Sequence, residues 1–134
     1  IVHAGHVDLL RQAKRTADLL VLAVNTDRSI RSLKGPTRPI VCEDDRVRVL
    51  GELQCVDYVV LFGDGSGGEG DTPAALIRAI RPDVLIKGGD YKTHEAIVGA
   101  DFVKSIGGKV VTIPLVEGRS TTNIVERIRA EKRL

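Results

Sequence analysis

The sequence predicts an α/β protein built on a doubly wound parallel sheet, and three observations predict it. Strand-like and helix-like patterns alternate along all 134 residues. The strand-like runs are continuously apolar, as befits strands covered on both faces, rather than alternating in polarity. The breaks between them carry helix caps, prolines and glycines where the chain must change direction.

Residues 5–17, GHVDLLRQAKRTA, set Val7, Leu10, Ala13 and Ala17 on one face at helical spacing. LLVLAVNT (19–26) follows as a buried strand. EDDRVRVLGELQ (43–54) turns Val47, Leu50 and Leu53 inward and carries acids in its first turn, which suits the helix dipole. DYVVLF (57–62) is the next strand. DTPAALIRAI (71–80) opens a helix with Thr72 as N-cap and Pro73 at the first helical position. DVLIKG (83–88) is a strand, EAIVGADFVKSI (95–106) a helix ended by Gly107-Gly108, and KVVTIPL (109–115) the last strand. STTNIVERIRAEKR (120–133) is a closing helix that Ser120 or Thr121 can cap. Parallel strands joined by helices need right-handed crossovers, and they bind ligands at the carboxyl ends of the strands.

Composition narrows the function. The length fits one domain, 1–134, with a core that needs no staples. Twenty basic against 18 acidic residues leave a net charge of +2, too balanced for a nucleic-acid binder. Two Phe, two Tyr and no Trp also deny it stacking platforms. No apolar run reaches the roughly 18 residues of a membrane span. Cys42 and Cys55 lie outside any CxxC spacing and read as reduced thiols of a cytoplasmic protein.

Three stretches fall at strand ends. HAGH (3–6) opens the first helix, where imidazoles beside free backbone N–H groups suit a phosphate. The bland alternative is a pair of capping or surface histidines. A metal site lacks a third ligand, since His94 stands alone. RSLKGPTRPI (31–40) is a basic, broken loop whose Arg31, Lys34 and Arg38 suit a lid over triphosphate or an ordinary solvated loop. EGRSTTNIV (117–125) sets Arg119 before Ser120, Thr121 and Thr122, more hydroxyls than a cap requires. GDGSGGEG (63–70) lacks the GK[ST] ending and the GxGxxG spacing and reads as a flexible surface loop.

Taken in this order, HxGH at the first helix, a lysine-bearing loop after the second strand and STT at the last helix resemble the nucleotidyltransferase superfamily of the cytidylyltransferases. NTDRSIRSLKGPTRPI, VDYVVLF, DTPAALIRAIRPDVLIKGGDY, GADFV and GGKVVTIPLVEGRSTTNIVERI look most like its D-glycero-β-D-manno-heptose 1-phosphate adenylyltransferase domains. In that family this domain is the nucleotidyl-transfer part of a bifunctional kinase/adenylyltransferase. The resemblance implies a Rossmann-like sheet and transfer of AMP from ATP to the sugar phosphate, giving ADP-heptose and pyrophosphate for lipopolysaccharide core synthesis. It implies Mg2+ with ATP, and a homodimer. It assigns His3, His6 and Lys34 to catalysis. It assigns Gly5, Arg46, Lys87, Gly88, Gly89, Asp90, Arg119, Ser120, Thr121 and Thr122 to binding the nucleotide. The family's first strand ends in a Phe-Asp pair two residues before the first histidine, where Ile1-Val2 stand here. The resemblance therefore expects a central strand ahead of residue 1. The rival readings are a cytidylyltransferase of a polyol or amino-alcohol phosphate, and a non-catalytic nucleotide-binding sensor.

Overall fold

The computed structural model describes residues 1–89 and 96–131. Helix α1 (Ala4–Lys14) leads to β1 (Val21–Asn25), and α2 (Asp27–Lys34) and α3 (Glu43–Gly51) carry the chain to β2 (Tyr58–Phe62). A 3-10 turn (Gly68–Asp71) and α4 (Ala74–Ile80) precede β3 (Val84–Gly88), α5 (Ala100–Ser105) leads to β4 (Lys109–Ile113), and α6 is Thr121–Glu131. No helix among the described residues is long and apolar enough to cross a membrane.

Both strand pairings are parallel, as the apolar runs predict. β1 lies beside β2 from Val21 opposite Tyr58 to Asn25 opposite Phe62. β3 lies beside β4 from Val84 opposite Lys109 to Gly88 opposite Ile113. Among the described residues no ladder joins the two pairs.

Each pair has its own core. Leu10, Val24 and Leu50 are buried together, with Val2, Leu22, Leu53, Cys55 and Val59 packed around them. Ile77, Ile97, Ala100, Val103 and Val110 form the second cluster, backed by Leu85 and Phe102. Val103 is fully buried. A Cβ on Gly108 would come within 2.6 Å of its side chain, so the turn into β4 requires glycine.

Several expectations need correction. Residues 31–34 are not loop but the end of α2, which Thr26 caps by accepting the Ser29 N–H and Gly35 ends at φ +89°. Helix α1 stops at Lys14, so Ala17 is exposed. Helix α5 starts only at Ala100, because Gly99 sits at φ +86°. Pro73 is the N-cap of α4 rather than its first residue, and Thr72 Oγ1 accepts the Ala74 N–H at 3.4 Å. The Gly-rich stretch 63–70 is folded upon Asp71 rather than loose: the Asp71 carboxylate accepts the Gly65 and Gly67 N–H groups at 2.8 and 2.9 Å.

Val103→Ala removes two fully buried methyl groups and should lower stability by about 2 kcal/mol, measured as a drop in the urea midpoint. Leu33→Ala, at a side chain 59% exposed, should move that midpoint by less than about 0.5 kcal/mol.

Candidate phosphate-binding active site

The first turn of α1 is closed by its two histidines. His3 is the N-cap, extended at φ −143°, and its Nδ1 accepts the Gly5 N–H at 3.1 Å. The His3 N–H donates in turn to His6 Nδ1 at 3.3 Å. A nitrogen that accepts a backbone N–H carries no proton of its own. Both imidazoles are therefore held as tautomers with the proton on Nε2. The rings lie 4.0 Å apart, tilted by 37°. The first turn contains no acid, and the one carboxylate of α1, Asp8, is exposed beyond it, so the first turn itself sets no negative charge at the positive end.

Burial lowers the His6 pKa, and the neighbouring His3 lowers it further. His6 is thus a neutral Nε2–H donor near pH 7. Gly5 is buried against the same turn. A Cβ there would lie 3.0 Å from His3 Cε1, crowding the ring that folds back over the turn, and in ordinary contact with Arg119 Cβ at 3.4 Å.

The amino end of α6 meets that of α1. Thr121 Oγ1 donates to the Ile1 carbonyl at 3.2 Å, and Ser120 Oγ accepts the Asn123 N–H at 3.0 Å. Two of the three hydroxyls thus fasten the helix. Thr122 and Arg119 are exposed at the same end. The two helix amino ends and three basic side chains converge around residue 1. Arg38, Arg46 and Lys34 lie within electrostatic reach of residue 1. Lys34 is the last residue of α2 and is exposed. His6 and Arg46 border a mostly apolar cavity of about 380 Å³ whose other walls include Ile1, Val2, Leu22 and Val24.

Arg46 faces this cavity but spends its donors on the protein. Its Nε bonds the Val41 carbonyl at 3.1 Å, Nη1 the Asn25 carbonyl at 2.8 Å, and Nη2 the Asp27 carboxylate at 2.7 Å. It ties the end of β1 to the start of α2 and the loop before α3. Asp27 and Asn25, which the sequence did not single out, are its partners. The cap sequence Asn25-Thr26-Asp27 at a strand end was the signal that marks them.

Lys87, Gly88 and Gly89 end β3. Lys87 is exposed. Gly88 lies close under α1, where a Cβ would come within 2.8 Å of the Leu9 side-chain end. Gly89, at φ +122°, donates its N–H to the Ile113 carbonyl at 3.0 Å. Asp90 and His94 lie outside the described residues.

Residues 1–127 match the cytidylyltransferase-like family model. The Bifunctional protein HldE of Syntrophotalea carbinolica is 55% identical over 128 residues, 96% of this chain and 25% of the relative. That of Gluconobacter oxydans is 54% identical over 130 residues, 97% of this chain and 26% of the relative. The chain therefore spans about a quarter of the length of these curated relatives, 25% in the first. The crystal structure of the lipopolysaccharide core biosynthesis protein from Thermoplasma volcanium superposes with a TM-score of 0.63 at 29% identity, covering 89% of this chain and 90% of that one.

The lowered His6 pKa sets a pH dependence. Between the folded value and the usual 6.5 the unfolded chain binds more protons, so stability falls as pH drops through 6.5 and levels off below the folded value. His6→Gln should lose less stability than the wild type between neutral and acid pH in urea titrations. Parallel curves for the two proteins would show that His6 titrates normally.

Proposed function

The chain belongs to the cytidylyltransferase-like family, and from that premise we propose that it transfers AMP from ATP to D-glycero-β-D-manno-heptose 1-phosphate. The products are ADP-heptose and pyrophosphate, on the route to lipopolysaccharide core. One observation carries the proposal: two neutral imidazole donors are fixed at the amino end of α1, facing the hydroxyl-bearing amino end of α6. Relatives named bifunctional HldE and a structural neighbour named for lipopolysaccharide core biosynthesis support the sugar branch.

In the reaction a sugar phosphate oxygen attacks the α-phosphorus. One P–O bond forms, the bond to the bridging oxygen breaks, and that oxygen leaves with pyrophosphate. The attacking oxygen is already ionised, so no protein base is needed. What remains for the protein is alignment and stabilisation of charge on the pentacoordinate phosphorus. His6 Nε2–H, with His3 beside it, donates to the oxygens that gain charge. Lys34 brings the incoming phosphate against ATP. Arg119 and Thr122 hold the β- and γ-phosphates at α6, where Ser120 and Thr121 set the helix end. Arg46 acts at one remove, by fixing the segments that present Lys34. Lys87 and Gly89 bound the nucleoside side at the end of β3.

Mg2+ would come with ATP and would supply charge neutralisation for the leaving pyrophosphate; among the described residues no three His, Cys, Asp or Glu side chains gather to hold an ion. Cys42 and Cys55 are free thiols, which supports a cytoplasmic setting.

Pyrophosphate release by the full-length protein, compared for ATP and CTP over sugar and alcohol phosphates, tests the proposal. ATP with the heptose 1-phosphate should be the fastest pair; a preference for CTP with an alcohol phosphate contradicts it. His6→Ala should stay folded by circular dichroism and lose at least about a hundredfold in kcat, the scale of one transition-state donor.

A further inference from the structure

The phosphate chemistry proposed above makes no use of the Gly-rich segment 63–70, yet its order is imposed at some cost. Five of its eight residues are glycine, and Gly63, Gly65, Gly67 and Gly68 all have positive φ. Such a chain has more freedom to lose than any other. What orders it is Asp71, 3% exposed, whose two carboxylate oxygens take the Gly65 and Gly67 N–H groups. Neither ion pair among the described residues includes Asp71. A carboxylate taken from water with backbone donors as its recorded partners is a costly way to pin a surface turn. The Asp64 N–H to the Gly70 carbonyl at 3.2 Å, and the Ser66 N–H to Asp64 Oδ1 at 2.8 Å, close the arch.

The arch sits at the ligand end of the sheet. It leaves the carboxyl end of β2, and its first residue is seated on α2. Thr26 Oγ1 donates to the Gly63 carbonyl. A Cβ on Gly63 would meet Ser29 at 2.5 Å. Arg28 underlies Gly65, and Asn25 donates to Ser29 Oγ at 3.0 Å and to the Asp71 carbonyl at 3.5 Å. Asn25 is also one of the Arg46 partners, so the arch and the phosphate site share a frame. Helix α2 runs between them, with the arch on its first turn and Lys34 at its last residue. Its eight residues span about 12 Å.

We propose that Asp71 is a positioning residue that holds residues 63–70 as the wall of the sugar side of the active site. The inference rests on the adenylyltransferase reading above. The triphosphate is assigned to the amino ends of α1 and α6, and the nucleoside to the end of β3. The ends of β1 and β2, spanned by α2, are left for the body of the acceptor. Lys34 then takes the acceptor's phosphate, and its hydroxyls extend toward the arch. There Asp64, Ser66 and Glu69 are exposed, two carboxylates and a hydroxyl of the kind that bind sugar hydroxyls.

The test is steady-state kinetics of the full-length protein with ATP and D-glycero-β-D-manno-heptose 1-phosphate. Two variants are compared with wild type. Asp71→Asn weakens the anchor itself. Gly67→Ala strains the arch from φ +84° where a Cβ meets nothing within 4 Å, so it leaves the core untouched and decides the matter if Asp71→Asn fails to fold. In both, KM for the sugar phosphate should rise at least about fivefold while KM for ATP and kcat stay within about twofold. An unchanged sugar phosphate KM, or an equal loss in all three constants, overturns the inference alone. A wild-type protein that releases no pyrophosphate from this pair overturns the adenylyltransferase reading, and the arch's role with it.

Discussion

The reciprocal bonding of His3 and His6 is the constraint on which the rest of the site depends. A helix amino end needs acceptors for its free N–H groups, and Ser, Asp and Asn are the usual suppliers. An aspartate there would set a negative charge beside a triphosphate. Two neutral imidazoles satisfy the same donors and still offer an N–H outward. The Nδ1 atoms serve the fold and the Nε2 atoms are left for chemistry. Gly5 suits this arrangement, because a Cβ there would crowd the His3 ring.

The site is held by long-range ties rather than by one element. Thr121 joins α6 to Ile1, Leu9 of α1 packs on the end of β3, and Arg46 joins β1, α2 and the approach to α3. These ties bring the amino ends of α1 and α6 together although the strand pairs share no hydrogen bonds among the described residues. A guanidinium that is largely enclosed and committed to two carbonyls and a carboxylate is a poor mobile phosphate ligand. In the proposed reaction its part is the placement of Lys34.

Much of this was legible in the sequence. The apolar runs marked all four strands, since burial on both faces leaves no polar position to obscure them. HAGH and STT marked the two helix ends because histidine and hydroxyl clusters there have few other uses. Helix α2 escaped notice because only Ile30 and Leu33 are apolar within it. Its cap signals, Thr26, Asp27 and Gly35, were present but overshadowed by the basic loop that follows. The Arg46 partners and the packing at Gly88 depend on residues up to 79 positions distant in the chain, from Leu9 to Gly88, and no local pattern encodes them. Asp71 looked like the start of a helix; its real partners are N–H groups of glycines four and six residues earlier.

The central claim is that both histidines are fixed, by backbone donors to Nδ1, as neutral Nε2–H donors. Two-bond proton–nitrogen correlation spectra of the imidazole rings at neutral pH report this directly, because protonated and unprotonated ring nitrogens resonate far apart. The result expected is an unprotonated Nδ1 and a protonated Nε2 in both His3 and His6. A proton on Nδ1 of either ring would contradict it.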